Sequence, residues 1–207
     1  MHRQLTSRGT PSPADKPKKQ PRQARAKLTV AAILQATTYI LERDGFAGFT
    51  TNKVAAKAGV NIASLYQYFP GKAALVAELM RQHSAASRAA SLRVLAASRA
   101  EGLEAAVRAL VAAGIAAHAT SPRMHRAIAL EAPRMGLEIG GADVDDEMAD
   151  AWRAMLGDAA PSATALWVAS TTAHALIHRA LIERPEALAS VALVDELTAL
   201  LWPYLRR

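Results

Sequence analysis

The 207-residue sequence contains no cysteine. This excludes disulfides, thiolate metal sites and cysteine nucleophiles together. There is no run of about 18 apolar residues, the length a helix needs to cross a bilayer. An apolar segment of signal-peptide type near the N-terminus is also missing. These absences predict a soluble cytoplasmic protein. No period-two alternation of convincing length occurs, so strands are not expected, and no repeat of about 20–50 residues is visible. Gly-rich phosphate loops, a nucleophile beside a plausible base, and a carboxylate/histidine metal set are all lacking. An enzyme is therefore not expected, and neither catalytic residues, a cofactor nor a metal is predicted.

Aromatic residues are scarce, ten in all, and three of them (Tyr66, Tyr68, Phe69) fall within "LYQYFPGK", residues 65–72. Acidic residues are scarce in one half only. Residues 1–27 hold eight Lys/Arg against one acid, and residues 28–99 hold eight against three. From residue 100 onward nine basic residues face fourteen acidic ones. A polyanion partner therefore belongs to the first half.

What is present is helical periodicity. Residues 1–26 carry Pro11, Pro13, Pro17 and Pro21 and almost nothing large and apolar. They cannot bury enough surface to offset ordering entropy, so a disordered basic arm is expected there. From Lys27, "LTVAAILQATTYILERDG" places Ile33, Ala36 and Ile40 on one stripe beside Leu41, with Gly45 as a stop. Thr50 or Thr51 can N-cap "TNKVAAKAG", which ends at Gly59. "VNIASLYQYF" follows, broken by Pro70-Gly71, and the next helix can run to about Ala97. Further helices are expected near 101–119, 122–135, 145–157, 161–183 and 186–204, punctuated by glycine and proline. The acidic run "DVDDE", 143–147, reads as a solvated loop and a helix N-terminus, where carboxylates suit the dipole. The fold class is all-α.

Two short helices joined by a tight Gly-containing turn describe a helix-turn-helix. On a helical wheel Leu65 and Phe69 share one side, facing Val54, Ala55 and Ala58. Ala63, Ser64 and Gln67 point the opposite way, Tyr66 lies on the flank, and Ile62 falls near the core side. The outward face suits a major groove: Gln67 can pair with an adenine edge, Ser64 with several bases, and Ala63 permits close approach. The two tyrosine hydroxyls can meet backbone phosphates. Lys72 adds charge beside helix N-terminal amides, which also attract phosphate.

"FTTNKVAAKAGVNIASLYQYFPGKAALV", residues 49–76, resembles the N-terminal signature of the TetR family of bacterial transcriptional regulators. The resemblance extends over residues 27–76. It implies a three-helix DNA-binding domain at 27–74 and a larger helical ligand-binding and dimerisation domain at 75–207. It also implies a homodimeric repressor that leaves a palindromic operator when a small molecule binds the C-terminal domain. By the family pattern Thr51, Asn61, Ile62, Ala63, Ser64, Tyr66, Gln67, Tyr68 and Lys72 fall at DNA-facing positions. Ile62 departs from it, since members often carry a basic or polar residue there. The long basic arm extends beyond the minimal pattern and could reach phosphates or an adjacent minor groove.

The C-terminal half carries less information. Leu166, Ala173, Ile177 and Leu181, with Leu188, Val191, Leu197 and Leu201, can form apolar stripes on the helices that resemble, in position, the family's dimer interface. An intramolecular core would use the same residues. His118, His125, Arg126, Glu131, Arg134, Trp152, Trp167 and His174 lie on helices that would surround a ligand cavity in the family layout. His174 and His178 are four apart and share a helix face, but neither a third nor a fourth metal ligand is recognisable nearby. A reading of another class is a helical adaptor that binds nucleic acid or acidic lipid non-specifically through its basic arm.

Overall fold

The computed structural model describes residues 22–137 and 146–206, and all regular structure among them is helical. Among the described residues nine α-helices follow one another: α1 (Arg22–Gly48), α2 (Thr51–Ala58), α3 (Ile62–Tyr68), α4 (Lys72–Ala97), α5 (Leu103–Ala119), α6 (Pro122–Glu131), α7 (Asp146–Leu156), α8 (Ala163–Glu183) and α9 (Val191–Leu205). Most of the basic arm, residues 1–21, and most of the acidic run 143–147 lie outside the described residues. The expected start of the first helix at Lys27 is late, because α1 begins at Arg22.

Local chemistry sets the ends of the first helices. Gly45 adopts φ 65°, ψ −173° and breaks the helical run of α1, as its position suggested. Of the two candidate caps, Thr50 is the N-cap of α2 and accepts from the Lys53 amide at 3.2 Å. Gly59 ends α2 in the left-handed region at φ 68°. Asn61 then caps α3, accepting from the Ala63 amide at 2.8 Å. A left-handed glycine and one asparagine cap thus turn the chain between α2 and α3 within three residues. At seven residues α3 is far below the roughly 12–15 at which an isolated helix persists. It is held by burial of Leu65 and Phe69.

The side chains form two apolar cores. The first joins Ile33, Leu34, Ile40, Leu41 and Phe49 with Val54, Leu65 and Phe69, and with Leu75, Val76 and Leu79 at the start of α4. Thr37 is buried among them, its hydroxyl donating to the Ile33 carbonyl at 2.9 Å. Met124, Ile128 and Ala132, from α6 and the turn after it, complete this core from the other half of the chain. The second core gathers Leu95, Val107, Val111, Ile115, Trp152, Leu166, Ile177, Leu181, Leu197 and Leu201. A boundary at residue 74 therefore cuts through α4, which is one continuous helix contributing to both cores. Among the described residues no single helix is long and apolar enough to cross a membrane.

Candidate nucleic-acid interface and internal cavity

The helix-turn-helix presents the face that the wheel predicts. Leu65 and Phe69 are buried beneath α3, while Ala63, Gln67, Tyr66 and Tyr68 are exposed on it. Ser64 is half-buried, so its hydroxyl is less available than expected. Ile62 is half-buried and packs against the first core, which takes it away from the groove-facing surface. Asn61 commits its Oδ1 to the α3 cap and positions the helix. Thr51 Oγ1 lies 3.1 Å from the Tyr66 hydroxyl, locking the flank of α3 to the start of α2.

Cations surround this face. Lys72 opens α4, its Nζ 5.4 Å from the Phe46 ring centroid and 5.6 Å from that of Phe49. Lys57 Nζ stands 3.9 Å over the exposed Tyr39 ring. Both lysines rest on aromatic faces and have no carboxylate partner among the described residues. Arg43 and Lys53 share Asp44, at 2.6 Å and 3.4 Å. The Arg43 hydrogen bond holds the Asp44 carboxyl well below the usual carboxylate range, so Asp44 stays ionised and offsets one of these two charges. Lys57 and Lys72 thus stand without a carboxylate partner among the described residues, and the Arg43–Lys53–Asp44 group keeps one net positive charge.

The second core borders a partly open cavity of about 160 Å³. Its wall is mostly apolar, from Val107, Leu110, Val111, Met148, Trp152 and Ile177, with His118, His174, Ser87 and Ser91 as polar points. Of the residues expected to surround it, His118, Trp152 and His174 line it. His125 is buried beside it among other histidines and does not line the wall. Arg126 is exposed, Glu131 pairs with exposed Arg134 at 2.6 Å, and Trp167 is 58% exposed. These last four belong to the outer surface, because α6 and α8 turn only one side inward.

The residues expected at a dimer interface are placed differently too. Leu166, Ile177, Leu181, Leu188, Leu197 and Leu201 are buried inside the chain, and Leu166, Ala173, Ile177 and Leu201 line the cavity. The intramolecular core takes the apolar stripes. Val191 alone of that set is exposed, at 66%. Large apolar side chains exposed on α8 and α9 are instead Trp167, Leu176 and Leu200, together with Val191.

The histidines show what linear spacing concealed. Next to His174 and His178 lie His118 of α5, His125 of α6 and His83 of α4, with ring centroids 4.2–6.3 Å apart in the contacting pairs. His83 was not a candidate from the sequence, since no short-range pattern links it to the others. Burial pushes the rings toward the neutral form, His83 and His125 down to about 4, and neighbouring histidines reinforce this.

The arrangement of a helix-turn-helix in front of a helical domain matches known proteins. Residues 33–79 match the family described as bacterial regulatory proteins, tetR family. Residues 102–205 match the tetracyclin repressor-like C-terminal domain. No curated protein matches the sequence significantly. Among solved structures, a TetR-family transcriptional regulator from Streptomyces coelicolor is similar at TM-score 0.57 and 20% identity, covering 86% of this chain and 97% of its own. The fatty acid degradation regulator FadR from Bacillus halodurans follows at TM-score 0.53 and 14% identity, covering 89% and 97%. LfrR from Mycobacterium smegmatis, solved in complex with proflavine, is similar at TM-score 0.50 and 23% identity, covering 85% and 97%. At these identities the likeness is one of fold, whereas the two family matches span both halves of the chain. The chain belongs to the TetR family of bacterial transcriptional regulators, helix-turn-helix DNA-binding proteins and not enzymes.

Proposed function

We propose that the protein is a cytoplasmic homodimeric repressor that reads a palindromic operator with α3 and leaves it when a small molecule fills the cavity. One observation carries the reading. The first turns of α4 pack in the core beneath α3 through Leu75, Val76 and Leu79, while later turns supply Ser87 and Ser91 to the cavity wall. A ligand that displaces the wall of a continuous helix displaces the base of the reading head, and packed cores respond as bistable units.

In this reading Gln67 and Ala63 meet base edges, with Ser64 a weaker contributor. The hydroxyls of Tyr66 and Tyr68, together with Thr51 and Lys72, meet phosphates. Asn61 and Ile62 set the pose of α3. The mostly apolar wall suits a compact apolar effector whose polar end reaches His118 or His174. LfrR, solved with proflavine, is a precedent of fold for such an occupant. The exposed Trp167, Leu176, Val191 and Leu200 supply the dimer surface. Gel shifts and footprinting on DNA flanking the protein's own gene, repeated with candidate small molecules, test the reading. A palindromic footprint with half-sites about 34–36 Å apart or slightly more, lost on adding one compound, is expected. Equal affinity for any duplex and for RNA would instead favour the adaptor.

A further inference from the structure

The cavity beside the second core measures about 160 Å³. An apolar cavity of about 150 Å³ accepts one benzene ring, so the space here is that of a single ring. Trp152 and Met148 offer an aromatic face and a thioether, contacts that suit an aromatic guest. The lining includes no lysine, arginine, aspartate or glutamate among the described residues. An ionised guest would therefore leave water without gaining a counter-charge. The two histidines on the wall differ in what they have left to offer. His118 Nδ1 lies 2.9 Å from the Gly114 carbonyl oxygen, which can only accept, so Nδ1 carries the proton. His118 Nε2 then accepts from His178 Nε2 at 2.9 Å, and both of its nitrogens are spent. His174 lines the same wall with its Nε2 buried and without a hydrogen-bond partner. Leaving a buried polar atom unpaired costs its desolvation, which a guest that pairs it recovers. The other such nitrogen, Nδ1 of His125, does not line the cavity.

We propose that the cavity selects an uncharged single-ring aromatic alcohol of the phenol class, its ring against Trp152 and Met148 and its hydroxyl hydrogen-bonded to Nε2 of His174. In making such a molecule the effector, the proposal rests on the repressor reading. A hydroxyl serves either tautomer of His174: its O–H donates to a bare Nε2, or its oxygen accepts from Nε2–H. A methyl group of the same size does neither. Burial lowers the His174 ring below its ordinary value, so it meets the guest neutral and offers a carboxylate no counter-charge. A phenol keeps its own proton near neutral pH, since phenolic groups ionise near pH 10. Ser87 and Ser91 place α4 on the same wall, so the guest touches the helix whose first turns support the reading head.

The test titrates the full chain with phenol, toluene, benzoate, benzylamine and 2-naphthol in a calorimeter. One phenol should bind per chain, more tightly than benzoate, benzylamine or 2-naphthol. The ratio of phenol to toluene affinity should fall about 3–10-fold in His174→Leu, the worth of one hydrogen bond. It should be kept in His174→Gln, which still offers a donor and an acceptor. In the unaltered protein phenol, unlike toluene, should shift the ¹⁵N resonance of His174 Nε2, a readout that needs no variant to fold. The proposal fails if a charged or two-ring probe binds tighter than phenol, if the ratio is unchanged in His174→Leu, or if that resonance does not respond. Gel shifts on the footprinted operator keep the two readings apart. Phenol that fills the cavity yet leaves the DNA complex intact overturns the effector role and leaves the selectivity standing. Release by a compound of another class, with no binding of phenol, overturns the selectivity alone.

Discussion

The backbone amide of Met124 donates to the Glu42 carboxylate across 2.8 Å, tying the first turn of α6 to α1. The bond satisfies one of the orphan amides at a helix start with a negative charge, which also suits the helix dipole. It crosses from the cavity-bearing half of the chain to the reading head. His125, the next residue, sits in the histidine cluster, so adjacent residues of α6 touch α1 and the cluster.

Glu42→Ala should lower stability by about 1.5–3 kcal/mol, the range for a hydrogen bond to a charged group. Glu42→Gln should lose less, because its amide oxygen still accepts. Urea denaturation of the two variants measures the difference, and equal losses would mean that the bond contributes little.

Gln67→Ala should cost about 1–3 kcal/mol at one base position in each half-site and leave the other positions unchanged. Binding to a set of operators altered one base at a time reads this out. An unchanged preference would show that the exposed side of α3 does not enter the groove.

Lys72→Ala should weaken every DNA sequence alike and flatten the salt dependence by about one ion. Loss of its contact with Phe46 and Phe49 should also cost about 0.5–1 kcal/mol of stability. Gel shifts over a salt series and thermal melts separate the two effects.

Two glycines should respond with opposite signs. Gly59→Ala meets nothing within 4 Å but must hold φ +68°, so it should destabilise by about 1–2 kcal/mol. Gly114 lies within α5 on the cavity wall, and a Cβ there would meet only the flexible end of Ile177 at 3.3 Å. Gly114→Ala should therefore gain up to about 1 kcal/mol from helix propensity. Paired denaturation curves check both.

In the proposed dimer, Trp167→Lys combined with Leu200→Lys should leave only monomer in sedimentation. Both side chains are more than half exposed, so helicity should stay intact. A dimer that survives both substitutions would place the interface elsewhere.

The sequence by itself determined the helical class, the order of the helices and the reading head. These rest on local rules: Thr50 caps, Gly59 turns left-handed, and Leu65 and Phe69 share one side of a short helix. Caps and glycines act within a few residues, and periodicity within a turn or two, so both are legible in one dimension. In the C-terminal half tertiary structure decided the outcome. Leu166 and Ile177 fit an interface between chains and an internal wall equally well by spacing, and only packing against α5 and α9 turned them inward. The same packing left Trp167 and Leu200 outside. The meeting of His83, His118, His125, His174 and His178 depends on four helices crossing at one point, and helix crossings are set by ridges and grooves far apart in the chain.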